Sequence, residues 1–469
     1  MAVVNSPAEP AAAGGSLQPG QTHHVLFITY HFPPSMEMGA QACAQIARYL
    51  PLHGWGSTVL TVKERYGEIV GNSPERDSPI RVVRTGLLPH PLVLYRSMKS
   101  LLHFERNANA GARGGPENTG RFRRWLLSLL LVGDGYTGWL LPASMAGLRV
   151  IRGTAVQHLL SSGPPWTSHL VGLSLSRITG RPWTAHFRDP WIQGAQSKPI
   201  KGVAARIDAA LERMIIEQAT FVVCVTDQHT EILRRSYPGL PPEKFVTIPN
   251  GFDGGEWDSV DTTFDLNSWK ATNFTITYTG QLYQARNPLP LFQALRTLIE
   301  KGDIDREHIR VDLIGWCDLA DGRRVSDMAE DCGIGHCVNV RGPLARPEAL
   351  RALTQSDLLL LLAEGLTIQI PGKTYEYLKA GRPILALTSK GALADLLRRT
   401  GGASVVDPDD GAGIAAVVGE TYRHWKEGRP QAGANHVLVS QFDRRMLAGR
   451  FADLFTRSSA PMDAAPIPR

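Results

Sequence analysis

The sequence predicts an α/β protein of two doubly wound Rossmann-like domains facing a cleft. Three observations carry that reading. The 469 residues are too many for one compact core and suit two domains of about 200 residues each. Short apolar runs alternate with helix-period patterns, as parallel strands joined by crossover helices require. The alternation stops at the turn Pro249-Asn250-Gly251 and restarts after a polar stretch that ends near Thr272.

Taken in order, residues 1–22 are rich in Ala, Pro, Gly and Ser and read as a disordered tail. Strands are expected over 25–29, 58–62 and 80–85, with a helix over 40–50 after the loop 30–39. Further strands at 155–161, 183–186 and 221–226 complete a first domain over 23–250. The second domain, 251–440, takes strands at 274–279, 310–314, 338–341, 358–362, 383–387 and 403–406. A helix over 442–456, inside the segment 441–458, is expected to pack back on the N-terminal domain. Residues 459–469 form a second tail. In such sheets ligands bind at the carboxyl ends of the strands.

Composition narrows the function. Apolar residues make up 43% and charged residues 20%, which rules out global disorder. The net charge of +6 is mild and suits anionic small ligands or a lipid surface. No basic stripe interleaved with aromatics and no zinc-finger spacing occurs, so a nucleic-acid partner is not expected. Five cysteines at irregular spacing make no disulfide framework and no zinc site, and point to the reduced cytoplasm. No Lys or Arg precedes Arg48, so the basic start of a signal peptide is missing.

One stretch departs from the pattern. Residues 106–120 are Gly/Asn/Arg-rich and read as a loop. Then Arg121, Arg123 and Arg124 open an apolar stretch that runs to Leu148, with Phe122, Trp125, Leu126, Leu129 and Leu130 at helical spacing. Asp134 and Pro142 interrupt it, which makes a poor transmembrane helix. A core helix and a helix lying in a membrane interface both fit.

The segment 357–380, DLLLLLAEGLTIQIPGKTYEYLKA, reads as strand, loop, then a helix opening at Gly372-Lys373-Thr374. A helix start offers N–H groups and partial positive charge to phosphate, and Lys373 adds a formal charge. A Walker A loop would need glycine at Thr367, so an NTPase is disfavoured. Glu376, a turn after Lys373, can accept paired hydrogen bonds from sugar hydroxyls. An isolated Glu there would more often be a solvated charge–dipole partner.

The run Pro371-Gly372-Lys373-Thr374-Tyr375-Glu376-Tyr377-Leu378 through Arg382-Pro383 resembles the donor-site motif of family-four glycosyltransferases with the GT-B fold. Its form is similar to the branch that builds bacterial surface polysaccharides. Five more blocks match in order: Tyr30-His31-Phe32-Pro33-Pro34 through Gly39, Ser162-Gly163-Pro164-Pro165, His186-Phe187-Arg188-Asp189-Pro190-Trp191, Ile248-Pro249-Asn250-Gly251-Phe252-Asp253, and Tyr278-Thr279-Gly280-Gln281-Leu282.

The resemblance implies retaining transfer of a sugar from a nucleotide-sugar, UDP-sugar foremost, without a metal or other cofactor. It makes 23–250 the acceptor domain and 251–440 the donor domain. Gly39, Thr279, Gly280, Arg286, Lys373, Thr374 and Glu376 become the donor-binding set. Arg286 and Lys373 would neutralise the diphosphate, and Glu376 would hold the ribose. His186, Arg188 and Asp189 become the catalytic set, with His186 near the reacting end of the sugar. An Arg188–Asp189 pair that merely locks the strand end is the bland alternative. The acceptor would be a saccharide or a lipid-linked saccharide. Contact through 121–148 would make the protein cytoplasmic and peripheral at the inner membrane.

One departure stands. The family pairs two glutamates with seven residues between them, the second matching Glu376, and the first falls at Ile368. Rival readings stay open: a GT-B epimerase or phosphorylase, a transferase acting on a soluble natural product, and a non-catalytic sugar-nucleotide binder. A nicotinamide-dependent oxidoreductase is disfavoured, because the turn after 25–29 lacks Gly-x-Gly-x-x-Gly.

Overall fold

The computed structural model describes residues 23–35, 37–66, 80–88, 134–192, 203–258, 260, 272–283 and 286–459. The expected N-terminal tail, nearly all of the C-terminal one, the loop 106–120 and the arginine-led start of 121–148 lie outside the described residues.

The first sheet contains β1 (His23–Thr29), β2 (Trp55–Val62), β3 (Arg81–Thr85), β4 (His158–Gly163), β5 (Trp183–Phe187), β6 (Phe221–Cys224) and β7 (Phe245–Thr247). Its order is β3-β2-β1-β4-β5-β6-β7, with β1 parallel to both β2 and β4. Val25 to Ile28 are fully buried, as expected of a parallel strand covered on both faces. Strand order reverses between β1 and β4, the place where such sheets present ligand sites.

The second sheet contains β8 (Phe274–Thr279) and β9 (Ile309–Ile314). After a two-by-two hairpin of β10 (Leu319–Ala320) and β11 (Arg323–Arg324), it adds β12 (Val338–Arg341), β13 (Leu358–Leu362), β14 (Ile384–Leu387) and β15 (Ala403–Val406). Its order is β12-β9-β8-β13-β14-β15, and neighbouring strands run parallel. The five leucines of β13 divide by alternation. Leu358, Leu360 and Leu362 join one core, and Leu359 and Leu361 the other. Burial on both faces explains an unbroken apolar run. Here the order reverses between β8 and β13.

The described residues fall into two compact units. One takes His23–Ile192, Val203–Val223 and Phe451–Ser459; the other takes Cys224–Arg450. The last helix, Arg444–Ser459, therefore ends among residues of the first unit. There Phe455 stacks on His158 at 4.5 Å and meets Trp55 edge-on at 5.2 Å, while Phe451 meets His186 at 5.2 Å. All five cysteines are buried thiols.

The described part of 121–148 runs from a turn at Asp134 through the 3-10 helix Thr137–Trp139 into an α-helix. Helix Leu140–Gly153 buries Ala143, Ser144, Gly147 and Val150. A side chain at Gly147 would press on Leu175 and Leu60. Just before it, Trp139 donates from Nε1 to Thr85 Oγ1 at 2.7 Å. Asp134 accepts from Thr167 N and Thr167 Oγ1 at 2.8 and 2.6 Å, capping helix Thr167–Thr179. Among the described residues no helix is long and apolar enough to cross a membrane.

Candidate functional site

In the second unit, Lys373 and Thr279 meet at the carboxyl edge of β8 and β13. Helix Lys373–Ala380 follows β13, and its first turn places Lys373 and Tyr377 four residues apart on one face. Both grip Thr279, the last residue of β8. Lys373 Nζ donates to Thr279 O at 2.8 Å, and Thr279 N donates to Tyr377 Oη at 2.8 Å. The Lys373 ammonium also lies 3.6 Å from the centre of the Tyr278 ring, a cation–π contact. Burial holds its pKa well below the usual lysine range, and the nearby Arg286 charge pushes it the same way.

Gly280 continues from Thr279 with φ +122°, a conformation that L side chains rarely adopt. Its N–H is spent on Ile314 O at 2.8 Å. Next to it Gly315 also has a positive φ, and a Cβ there would run into the Gly280 carbonyl. The two loops are thus locked backbone to backbone. Arg286 lays its guanidinium 4.1 Å from the Tyr283 ring.

Thr374 is fully buried, and its Oγ1 makes no hydrogen bond within the protein. The N–H groups of Thr374 and Tyr375 donate to Pro371 O and Gly372 O, so the helix opening offers fewer open donors than the sequence suggests. Glu376 Oε1 accepts from Arg346 Nη2 at 2.6 Å, and Arg346 Nε donates to Glu256 Oε2 at 2.8 Å. Ile368, where the family's first glutamate would stand, offers its carbonyl to Thr226 Oγ1 at 2.7 Å.

The first unit carries the other set. His186 is the last residue but one of β5, with 3% exposure, and its Nδ1 lies 3.2 Å from Ser162 Oγ on β4. Burial, helped by the Arg188 charge, pulls its pKa down to about 3, so the imidazole is neutral at pH 7. Arg188 donates from Nη2 to Pro164 O, while its Nε is buried without a hydrogen bond. Its guanidinium occupies the space a Cβ at Gly39 would need. Gly39 lies in the first turn of helix Met38–Tyr49, so that glycine leaves room for Arg188. Asp189, next in the chain, is not without partners.

The structure thus brings Thr279, Gly280, Lys373, Thr374 and Glu376 to one edge of the second sheet, with Arg286 in their field. It brings Gly39, His186 and Arg188 to one edge of the first. Sequence reasoning passed over Arg346, Tyr377 and Gly315. Tyr377 lies inside the quoted motif, whereas Arg346 is 30 residues from Glu376 and carries no local signal. Among the described residues no group of three or more His, Cys, Asp or Glu is placed to hold a metal ion.

Residues 39–251 match the glycosyl transferase 4-like domain, and residues 273–424 match the glycosyl transferases group 1 family. No curated protein sequence matches the chain. Among solved structures, sucrose-phosphate synthase from Thermosynechococcus elongatus superposes with a TM-score of 0.62 at 14% identity, over 93% of this chain and 98% of that one. Anabaena HepE, solved with UDP, gives 0.62 at 16% identity over 92% and 100%. A glycosyltransferase from Rickettsia africae gives 0.58 at 11% identity over 94% and 99%. The domain matches, the doubly wound sheets and the shared fold lead to one conclusion: the chain belongs to the GT-B fold glycosyltransferases with a family-four-like N-terminal domain.

Proposed function

We propose that the chain is a retaining glycosyltransferase that moves a sugar from a UDP-sugar to an acceptor hydroxyl without a metal ion. The observation that carries this reading is Lys373. It is a depressed-pKa lysine at a helix start, beside the strand-order reversal of the second sheet, with Arg286 in its field. Two cations that repel each other in the free protein are relieved by a diphosphate. As the sugar–phosphate bond breaks, they neutralise the charge that develops on the leaving group. The buried hydroxyl of Thr374 supplies a further donor, and Glu376 accepts from the ribose.

Uracil is favoured as the donor's base because HepE, of the same fold, was solved with UDP and with UDP-glucose. His186, neutral and held by Ser162, is suited to hydrogen-bond the sugar near its reacting carbon. Arg188 and Asp189 would orient the acceptor, and the hydroxyl would attack on the face the phosphate leaves. A lipid-linked saccharide in surface polysaccharide synthesis is the acceptor we favour, at the cytoplasmic face of the inner membrane. Its support is the resemblance of the Pro-Gly-Lys motif and the basic, Trp-bearing composition of 121–132.

Thermal-shift screening against nucleoside diphosphates and their sugars tests the donor. Bound ligand raises the melting temperature according to its concentration over Kd. A UDP-dependent shift lost in both Lys373→Ala and Glu376→Ala is expected; no shift for any nucleotide in the wild type would refute the site. Product analysis separates transfer from isomerisation or phosphorolysis. Reversing Arg121, Arg123 and Arg124 to Glu should weaken binding to anionic liposomes, and unchanged binding would refute the membrane contact.

A further inference from the structure

The Glu376 carboxylate does not stand alone. Arg346, first residue of helix Arg346–Thr354, reaches it with Nη2 at 2.6 Å while the same nitrogen lies 2.8 Å from Glu256 Oε2. Arg346 Nε also donates to Glu256 Oε2 at 2.8 Å. Two guanidinium nitrogens on one Glu256 oxygen fix the plane of the group, because the donor fork is rigid. With the plane fixed, Nη2 can point only where Glu376 Oε1 sits. The ion pair takes Oε1 and leaves Oε2 outside it. Half-buried Arg444 adds positive charge to the same neighbourhood, in the field of Glu376, Asp253 and Glu256.

Without Arg346, the nearest basic side chains along the helix are Lys373 and Lys379, each three residues from Glu376. Helical neighbours at that spacing pair readily. A carboxylate drawn to either would leave the orientation it has here. Arg346 is thus the group that decides where Glu376 points.

We propose that Arg346, braced by Glu256, is the positioning residue that orients Glu376 toward the vicinal hydroxyls of the donor ribose. The proposal rests on the reading of Glu376 as the ribose acceptor and adds the device that makes it selective. Arg346 touches no donor atom in this scheme. Its effect passes through one carboxylate, so it should alter recognition of the ribose and not of the phosphates.

Calorimetric titration of the full chain with three probes separates these roles: UDP, 2′,3′-dideoxy-UDP and inorganic pyrophosphate. The wild type should bind UDP roughly ten- to a hundredfold more tightly than the dideoxy analogue, the range for hydrogen bonds to a charged group. Glu376→Ala should bring that ratio to near one. Arg346→Met should reduce it about tenfold or more, while pyrophosphate binding changes less than about twofold. Glu256→Ala, which removes only the brace, should reduce the ratio part of the way. Arg346→Lys keeps the charge but not the fork, and should fail to restore discrimination. Urea titrations of each variant establish that it folds. Discrimination lost in Glu376→Ala but intact in Arg346→Met and Glu256→Ala would overturn the proposal and leave the ribose reading standing. A wild type that does not distinguish the two nucleotides would overturn both.

Discussion

Lys373→Met tests whether this lysine is held for a ligand at the expense of the free fold. Methionine keeps the length and removes the charge. In the free protein the substitution gives up a charge-assisted hydrogen bond to Thr279 O, about 1.5–3 kcal/mol, and a cation–π contact of about 0.5–2 kcal/mol. It also lifts the cost of holding an ammonium out of water beside Arg286. In the folded state burial, and after it the Arg286 charge, disfavours the charged form and lowers its pKa. Each unit of depression is worth about 1.4 kcal/mol. The Met variant should therefore be more stable than wild type at neutral pH.

The pH dependence follows from the same shift. Because the native pKa lies below the unfolded value near 10.5, the unfolded chain binds more protons between the two. Wild-type stability rises with pH through that window, and below the native pKa the full penalty is present. The advantage of the Met variant should shrink as pH climbs from 7 to 10. Urea titrations of both proteins at several pH values measure it. UDP binding should weaken by about 2–5 kcal/mol, the range for removing one partner of a buried charge pair, or roughly 30- to several-thousandfold in Kd. A Met variant that is less stable than wild type, or that binds UDP equally well, would refute the reasoning.

Other perturbations address separate parts of the structure. Gly39→Ala should leave the melting temperature within a few degrees, since only the end of the Arg188 side chain must move, yet slow turnover by roughly tenfold or more through misplacement; a kinetic assay at saturating donor decides it. Gly315→Ala should cost about 1–3 kcal/mol for its positive φ alone, and more for the clash with the Gly280 carbonyl, as read by denaturant unfolding. Asp357 is pushed up to about 7 by burial, so it contributes stability below about pH 4 that fades as pH rises to about 7; Asp357→Asn, which can still accept from Thr275 N, should flatten that slope. Asp134→Ala should cost about 1–2 kcal/mol by uncapping helix Thr167–Thr179, checked by thermal melts.

Much of the fold was legible because parallel strands buried on both faces leave continuous apolar runs. The strands at 338–341, 358–362 and 403–406 agree residue for residue with the structure. The strand expected at 155–161 begins later, at His158, because Val156 turns its N–H back to Thr154 O and is buried outside the ladder. Three-residue β7 and the β10–β11 hairpin were missed, being too short to show a period. At the site, Lys373 and Glu376 were visible through a contiguous motif. Arg346 was not, since what gives it a role is a contact across 30 residues that no local pattern records. Nor does any local pattern record that the Arg188 guanidinium lies where a Cβ at Gly39 would stand.

The last turns of the C-terminal helix have a consequence for how the protein is made. Trp55, His158 and His186 belong to early strands or their edges, yet Phe451 and Phe455, which cover them, are translated almost 270 residues or more later. Chains emerge from the ribosome N-terminus first, and domains generally fold as they appear. Here the first sheet keeps an uncovered aromatic seam until the second unit has been synthesised. The unit begun first is closed last. Ribosome-bound chains stalled before Phe451 should therefore show a protease-sensitive first unit that becomes resistant once Phe455 has cleared the exit tunnel, and early resistance would contradict this order.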